Sequence, residues 1–146
     1  MASPIEAQFI LCDAAQADPS GKMHMLGAGW SVTHTPTPPH ALAIMLRIPW
    51  DRANQQIQVS AVLEDGDGKP VLLGTPPVPL RQDAHVEVGR PPGVAPGSML
   101  PASFAVNVPP LPLTPGRYEW RVRVAEEEST ASFQVLPQPQ VLPSSR

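Results

Sequence analysis

Four side chains of this sequence could serve a metal site or acid–base catalysis: the histidines His24, His34, His40 and His85. No two of them have the four-residue spacing with which a helix presents two imidazoles to one zinc ion, and no cysteine cluster joins them. His34 and His40 flank one proline-rich loop, residues 33–40, and could meet in space. We expect a structural or surface role for each histidine, and no metal or other cofactor.

The stretch at residues 65–68 (Asp-Gly-Asp-Gly) is similar to the start of a calcium-binding loop. Such a loop needs an oxygen ligand at its fifth place and a glutamate at its twelfth, and here these places hold Lys69 and Pro76. Asp-Gly dipeptides also suit the positive φ angles of a tight turn between two strands. The prediction for this stretch is therefore a β-hairpin turn.

Motifs for nucleotide binding and nucleophilic catalysis are incomplete. Residues 27–29 (Gly-Ala-Gly) begin a glycine pattern, but its third place holds Val32 and no helix is predicted to follow. Ser98 lacks the sequence pattern of a nucleophile elbow. Cys12 lies on a predicted strand beside Asp13, whose charge would raise the thiol pKa, so we expect a buried, inert thiol. We predict that the protein is not an enzyme.

The three tryptophans raise the question of a carbohydrate-binding face. Trp50 and Trp120 lie on apolar faces of predicted strands, so core packing is the expectation for both. Trp30 ends a predicted strand beside the Thr-Pro loop and is the aromatic residue expected to be most exposed. Together with His34 and His40 it forms the candidate contact site for a ligand or partner.

Composition narrows the class of protein. The chain has 146 residues, 21 of them proline, and this proline content argues against long helices. Its net charge is only −3, and without a basic stripe we expect no nucleic-acid surface. No apolar run approaches the roughly 18 residues of a membrane span, and the N-terminus lacks a secretory pattern. With a single cysteine, a cytoplasmic location is the expectation.

Alternation of apolar and polar residues indicates strands throughout, separated by turn signals. This pattern predicts an all-β antiparallel sandwich of about eight strands, in one domain over residues 1–136. Residues 137–146 (Pro-Gln-Pro-Gln-Val-Leu-Pro-Ser-Ser-Arg) are predicted to form an extended, proline-rich tail. The strands are expected at residues 5–12, 22–30, 41–50, 56–64, 69–73, 79–88, 103–108, 113–124 and 130–136.

Two segments carry resemblances. The pattern Leu113-x-Pro115-Gly116-x-Tyr118, followed by alternation, resembles the corner and last hairpin of immunoglobulin-like domains. The resemblance implies an immunoglobulin-like fold in which Tyr118 is a structural corner residue whose hydroxyl bonds backbone a few residues upstream. The cysteine pair of antibody domains is absent, so an antibody-type domain is not implied.

The N-terminal half resembles a family of small bacterial β-sandwich proteins of unknown function that is common in actinobacteria. The resemblance rests on residues 9–16, 21–30 and 46–50. It implies a fold and a cytosolic setting, and it brings no known active site.

Function is predicted from these features as a non-catalytic protein-interaction or assembly module, an adaptor or a subunit of a larger complex or particle. A sandwich can bind partners by strand addition at an edge or by docking extended proline-rich segments, so a protein partner or self-association is expected. The alternative is a small-ligand or carbohydrate binder that uses Trp30, His34 and His40 at one end of the sandwich.

Overall fold

The computed structural model describes residues 4–138, and regular structure in this part of the chain is almost entirely β-strand. A short 3-10 helix at Trp50–Arg52 is the exception among the described residues. The expected all-β, sandwich-like class is thereby confirmed. The strands are β1 Glu6–Cys12, β2 Ala14–Ala17, β3 Met23–Leu26, β4 Val32–His34, β5 His40–Ile48, β6 Ile57–Asp65, β7 Leu72–Leu73, β8 Val78–Pro79, β9 Arg81–Val86, β10 Leu100–Val108, β11 Gly116–Val124 and β12 Glu127–Leu136.

Two main sheets form the body of the molecule. One has the strand order β1-β5-β10, and the other has the order β4-β12-β11-β6-β9. Paired strands are antiparallel except for β4, which runs parallel to the end of β12. Two further pairs, β2–β3 and β7–β8, form small antiparallel sheets of their own. A three-stranded sheet therefore faces a five-stranded one.

The core lies between these two sheets. Alternation along β5 turns Leu42, Ile44 and Leu46 inward, and alternation along β11 does the same for Trp120 and Val122. All five side chains are at most 1% exposed. Burying an aliphatic side chain of this size contributes roughly 1.5–3 kcal/mol, so these facing rows account for much of the stability of the sandwich.

The corner before β11 is fixed by Tyr118. Its hydroxyl donates a hydrogen bond to the carbonyl oxygen of Thr114 at 2.8 Å, and its ring stacks on Phe133 of β12 with 5.9 Å between centroids. The side chain is 7% exposed, so the hydroxyl needs this protein partner in place of water. The bond ties the loop that precedes β11 to the strand itself.

The outer face of the three-stranded sheet is covered over only half of its length. Cys12, Ala41 and Ala43 point outward. The β2–β3 hairpin covers them with the side chains of Ala15, Met23 and Met25. Small side chains on the sheet allow the hairpin to approach closely. Cys12 is fully buried there, as expected, and burial raises its pKa.

The structure has more strands than the sequence pattern indicated. Twelve strands lie within residues 4–138, whereas nine ranges were expected to form strands. Ala14–Ala17 and Val32–His34 were missed because three or four residues carry too little alternation to register. The strand expected at residues 22–30 ends at Leu26, and a turn leads from there to Trp30.

Two further expectations about strands need correction. The strand expected at residues 41–50 ends at Ile48, because Pro49 offers no N–H to the ladder and a 3-10 turn begins. The return strand expected at residues 69–73 touches β6 only through the bridge between Glu64 and Pro70. Its last two residues form β7 and pair with β8 instead.

In the described part of the chain, no helix has the length and apolar character needed to cross a membrane. Most of the predicted tail at 137–146 lies outside the described residues. Pro137 and Gln138 are described, and both are exposed beyond β12.

Candidate functional site

Trp30 and His40, two of the three predicted contact residues, lie against each other. Their ring centroids are 5.3 Å apart with an interplanar angle of 90°, and Phe133 lies 5.4 Å from Trp30. Trp30 is half-buried, whereas His40 is only 3% exposed. The imidazole is therefore covered by the two aromatic rings.

The environment of His40 makes it a packing residue. Its Nδ1 lies 3.0 Å from the carbonyl oxygen of Pro38, which identifies Nδ1 as the protonated nitrogen. Its Nε2 is buried without a hydrogen-bond partner among the described residues. Desolvation lowers the pKa of this imidazole, so the neutral form is favoured.

The other histidines stand apart from this pair. His34 lies at the end of β4, opposite Leu136, and is exposed. It is therefore not part of the buried contact between Trp30 and His40. His24 is exposed on β3, and its Nε2 lies 3.1 Å from the carboxylate of Asp18. His85 is exposed on the edge strand β9. Within residues 4–138, no group of three or more histidine, cysteine or acidic side chains is arranged to hold a metal ion.

The Asp-Gly-Asp-Gly stretch forms the tight turn that was predicted. The carboxylate of Asp65 accepts hydrogen bonds from the backbone N–H groups of Asp67 (2.9 Å) and Lys69 (3.0 Å). The N–H of Gly68, where φ is +79°, donates to the Asp65 carbonyl. This carboxylate is used by the turn itself, as in Asx turns generally.

The uncovered half of the outer face of the three-stranded sheet forms a groove. The sheet register places outward-pointing residues of β1, β5 and β10 side by side there, and Glu6 and Arg47 form an ion pair with 3.6 Å between Oε2 and Nε. Gly21 and Met99 form the walls of a cavity of about 570 Å³. The sheet residues of its floor are Glu6, Gln8, Met45, Arg47, Pro101 and Ser103.

A second cavity, of about 670 Å³, lies on the other side of the first residues of β10. Its walls are the hairpin turn at residues 18–21 and the segment at 86–91. Gly21, Pro101 and Ser103 line both cavities, so the two are continuous across β10. Because β10 is an edge strand, Pro101 can lie in it without breaking an interior ladder.

Trp50 lies in a third cavity, of about 380 Å³, which shares Met99 with the first. The 3-10 turn positions Trp50, and the guanidinium of Arg90 lies 4.7 Å from the centre of its ring. An Arg90 nitrogen also donates a hydrogen bond to the Trp50 carbonyl at 2.8 Å. We call the connected surface of the three cavities the β10 groove. Its apolar path runs over Met45, Trp50, Met99 and Pro101.

The charge of the β10 groove is predominantly negative. The lining residues include four carboxylates and one guanidinium, and a second guanidinium, that of Arg90, lies over Trp50. Asp18 is held in place by the turn, where it accepts hydrogen bonds from Ser20 and from the N–H of Lys22, and these bonds lower its pKa. The charged residues of the lining are Glu6, Asp18, Arg47, Asp51 and Glu87.

A comparison with protein-family models identifies the family of this chain. One model matches residues 7–135, from within β1 to within β12. It describes DUF6941, a family of unknown function. The chain belongs to DUF6941. No curated protein matches the chain.

The match confirms that the chain is a member of a family of unknown function and extends that membership well beyond the N-terminal half. In this DUF6941 chain the matched residues include the hairpin β2–β3, Trp50 and all of β10. They therefore include nearly the whole lining of the β10 groove. Residues 137–146 lie outside the match.

Sequence reasoning did not find the β10 groove in this DUF6941 domain. Trp120 is buried at 1% exposure as expected, and Trp50 packs against the core but is only partly buried. The signal that indicates this partial exposure is Pro49, which ends the strand before Trp50. The remaining groove residues come from separate strands.

Proposed function

We propose that this DUF6941 domain is a non-catalytic protein-interaction or assembly module that binds an extended, proline-containing segment of a partner in the β10 groove. The observation that carries the proposal is the uncovered half of the outer sheet face, which continues through Met99 to the partly buried Trp50. The β2–β3 hairpin covers one half of this face, and the half that it leaves open carries Met45 and Met99 among its polar residues.

The side chains of the β10 groove suit an extended peptide. Met45 and Met99 are flexible and polarizable, and such side chains adapt to varied partners. Trp50 presents an aromatic surface next to Pro49, and aromatic surfaces bind proline-rich segments in the polyproline II conformation. Pro101 has no N–H to offer a partner strand, which favours binding through side chains over strand addition at this part of the edge.

We also propose that the domain is related to immunoglobulin-like domains. Its support is the Tyr118–Thr114 bond at the start of the penultimate strand, where immunoglobulin-like domains carry their tyrosine corner. Further support is the division of the strands into a smaller and a larger sheet, in which all main pairs but β4–β12 are antiparallel. A cytoplasmic, actinobacterial setting is proposed on the single cysteine and the N-terminal resemblance alone.

A small-ligand or carbohydrate site at Trp30, His34 and His40 has less support. Trp30 and Phe133 cover the ring of His40, and His34 points elsewhere. None of the three residues lines the cavities of the β10 groove.

A peptide array tests the proposed function. Decapeptides that each contain two prolines are screened against the full-length protein, and hits are titrated in solution by tryptophan fluorescence. We expect binding that weakens at least about tenfold in Met99→Asp, whereas Leu72→Asp on the exposed β7–β8 hairpin leaves it unchanged. The proposal is wrong if the array gives no hit, or if Met99→Asp binds every hit as well as the unchanged chain does.

A further inference from the structure

Strand β12 has a neighbour along nearly its whole length on one side only. β11 pairs with it from Glu127 to Val135, whereas β4 pairs only with its last residues, Gln134 to Leu136. Within residues 4–138, no strand pairs with residues 127–133 on the β4 side. The five-stranded sheet therefore has an open edge beside the first part of β12.

Hydrogen bonds at the end of β12 show which backbone groups this open edge presents. The N–H of Gln134 donates to the carbonyl oxygen of Ser31 at 2.9 Å. The N–H of Thr35 donates to the carbonyl oxygen of Leu136 at 3.1 Å. Successive residues of a strand turn their backbone groups to opposite sides, so the even-numbered residues of β12 face the open edge. We call the three of them that precede Gln134 the β12 edge: Glu128, Thr130 and Ser132.

A cavity of about 170 Å³ lies beside the β12 edge, between the two main sheets. Its apolar lining comes from the N-terminal residues Ile5, Ala7 and Phe9 and from Val124 of β11. Ser129 of β12 also lines it, and this small side chain leaves the space open. Every second side chain of a strand added to the β12 edge would point to the interior side of the sheet, toward this cavity.

Two other edge strands, β9 and β10, are less suited to an added strand. Arg81 and Asp83 on β9 form an ion pair with 2.8 Å between Nε and Oδ2, and charged side chains on an edge strand discourage pairing. Pro101 on β10 has no N–H to offer. The β12 edge carries a single charge, and the carboxylate of Glu128 that supplies it is already paired with Arg121, with 2.6 Å between Oε1 and Nη1.

We propose that the β12 edge binds an extended segment of a partner protein, which adds to the five-stranded sheet as a further strand. The backbone of such a segment satisfies the unpaired N–H and C=O groups of the edge at the spacing of a β-ladder. This contact is separate from the β10 groove. It uses backbone groups of β12, whereas the groove is proposed to bind through side chains.

The surroundings of the β12 edge define the partner segment. It carries aliphatic side chains at alternate positions, because these fill the cavity lined by Phe9 and Val124. It lacks proline where it bonds to the edge, since each bonding residue must supply an N–H. It carries a basic residue opposite Glu127, whose carboxylate lines the cavity and has no hydrogen bond or ion pair among residues 4–138. A second copy paired through its own β12 would offer only Ser129 and Ala131 to the cavity, so the partner has a different sequence.

Amide hydrogen exchange measured by nuclear magnetic resonance tests the protein alone first. We expect the N–H groups of Glu128, Thr130 and Ser132 to exchange fast, because they face the open edge. Those of Ser129 and Ala131 face β11 and should exchange slowly. Slow exchange at all of these positions would show that the edge is already covered and would overturn the inference. Protection that grows with protein concentration would assign the edge to a second copy and would also overturn it.

Proline-free decapeptides in which valine or leucine alternates with threonine or lysine are then added as probes. We expect some of them to slow exchange at the three residues of the β12 edge and to leave exchange along β9 unchanged. Thr130→Pro removes an N–H that faces the edge and should weaken this binding roughly tenfold. Ser129→Phe keeps every backbone group but occupies the cavity, and it should weaken binding by a similar factor.

His85→Pro is the matched control. It makes the same change at an exposed residue of β9 whose N–H also points away from the neighbouring strand β6, so peptide binding should be unchanged. The inference is wrong if no peptide slows exchange at the β12 edge, or if both edge variants bind the peptides as the unchanged chain does. In either case, proline-containing array peptides whose binding depends on Met99 would leave the proposed function intact, because that contact lies in the β10 groove.

Discussion

The imidazole of His40 stands perpendicular to the indole of Trp30, with 5.3 Å between the ring centroids. His40 begins β5, and Trp30 precedes the parallel strand β4, so this contact joins the two main sheets at one end of the sandwich. Burial lowers the pKa of this imidazole from its ordinary value of 6.5 and so favours the neutral form. His40, which the sequence suggested as a ligand contact, is instead a buried, titratable side chain that packs between the two sheets.

Stability should fall as pH drops from 6.5 toward 5. In the unfolded chain His40 takes up a proton near pH 6.5, whereas in the folded chain it stays neutral to lower pH. The unfolded state then binds more protons, so the free energy of unfolding decreases by at most about 1.4 kcal/mol per pH unit in this window. Urea unfolding at pH 7.5 and 5.5 measures the change.

The control for this prediction is His40→Phe. It retains an aromatic ring against Trp30 but cannot be protonated, and it keeps the exposed histidines His24, His34 and His85. We expect it to be less stable than the unchanged chain at pH 7.5 because the bond to Pro38 is lost, yet to lose less stability on acidification. Equal pH dependence in both proteins would show that His40 does not titrate on unfolding.

Tyr118→Phe should destabilise the domain by about 1 kcal/mol. The variant keeps the stacking on Phe133 but removes the donor that satisfies the Thr114 carbonyl oxygen. Thr114→Ala keeps the backbone acceptor and removes only the hydroxyl 3.1 Å from the tyrosine oxygen, so its effect should be smaller. Chemical denaturation of both variants decides the order, and a larger loss for Thr114→Ala would contradict this account of the corner.

Regular, long strands could be predicted from the sequence for a physical reason. Alternation over 56–64 marked β6, observed at Ile57–Asp65, because one face packs on the core and the other meets solvent. The same logic placed Tyr118 and Trp120 inward on β11. The strand expected at residues 41–50 was found as β5, which lies between β1 and β10.

The candidate site could not be predicted in the same way. The floor of the β10 groove combines β1, β5 and β10, strands that are far apart in sequence, and nothing local marks Glu6, Met45 and Ser103 as neighbours. The groove also exists because the β2–β3 hairpin stops short, and alanine-rich β2 gave no strand signal. Conversely, His34 and His40 are close in sequence, but strand pairing exposes one and packing buries the other.

Cys12 should react slowly with dithionitrobenzoate in the folded protein and at once in the unfolded one. The thiol lies under the β2–β3 hairpin at 0% exposure, and burial raises its pKa, so both access and thiolate content are low. Labelling then reports opening of the hairpin. Met23→Ala removes part of the cover and should label faster, by about tenfold if opening becomes about 1.4 kcal/mol easier. Immediate labelling of the unchanged chain would show that the hairpin does not protect the sheet.

Gly21→Ala should perturb the wall of the β10 groove more than a comparable change elsewhere. Gly21 has φ +88°, and a Cβ built there would lie 3.3 Å from the carbonyl oxygen of Pro101. Gly93 has φ +87°, but a Cβ there would meet nothing within 4 Å. Both variants incur the left-handed strain of about 1–2 kcal/mol, and only Gly21→Ala adds a close contact between the hairpin tip and β10.

The comparison of these two glycine variants therefore separates backbone strain from packing. We expect Gly21→Ala to be the less stable of the two in urea unfolding, to label faster at Cys12, and to bind array peptides more weakly. The physical reason is that relief of the contact must move the hairpin tip away from Pro101, which widens the groove and loosens the cover over the sheet. Equal losses of stability with unchanged peptide binding would show that the hairpin tip yields freely and does not shape the groove.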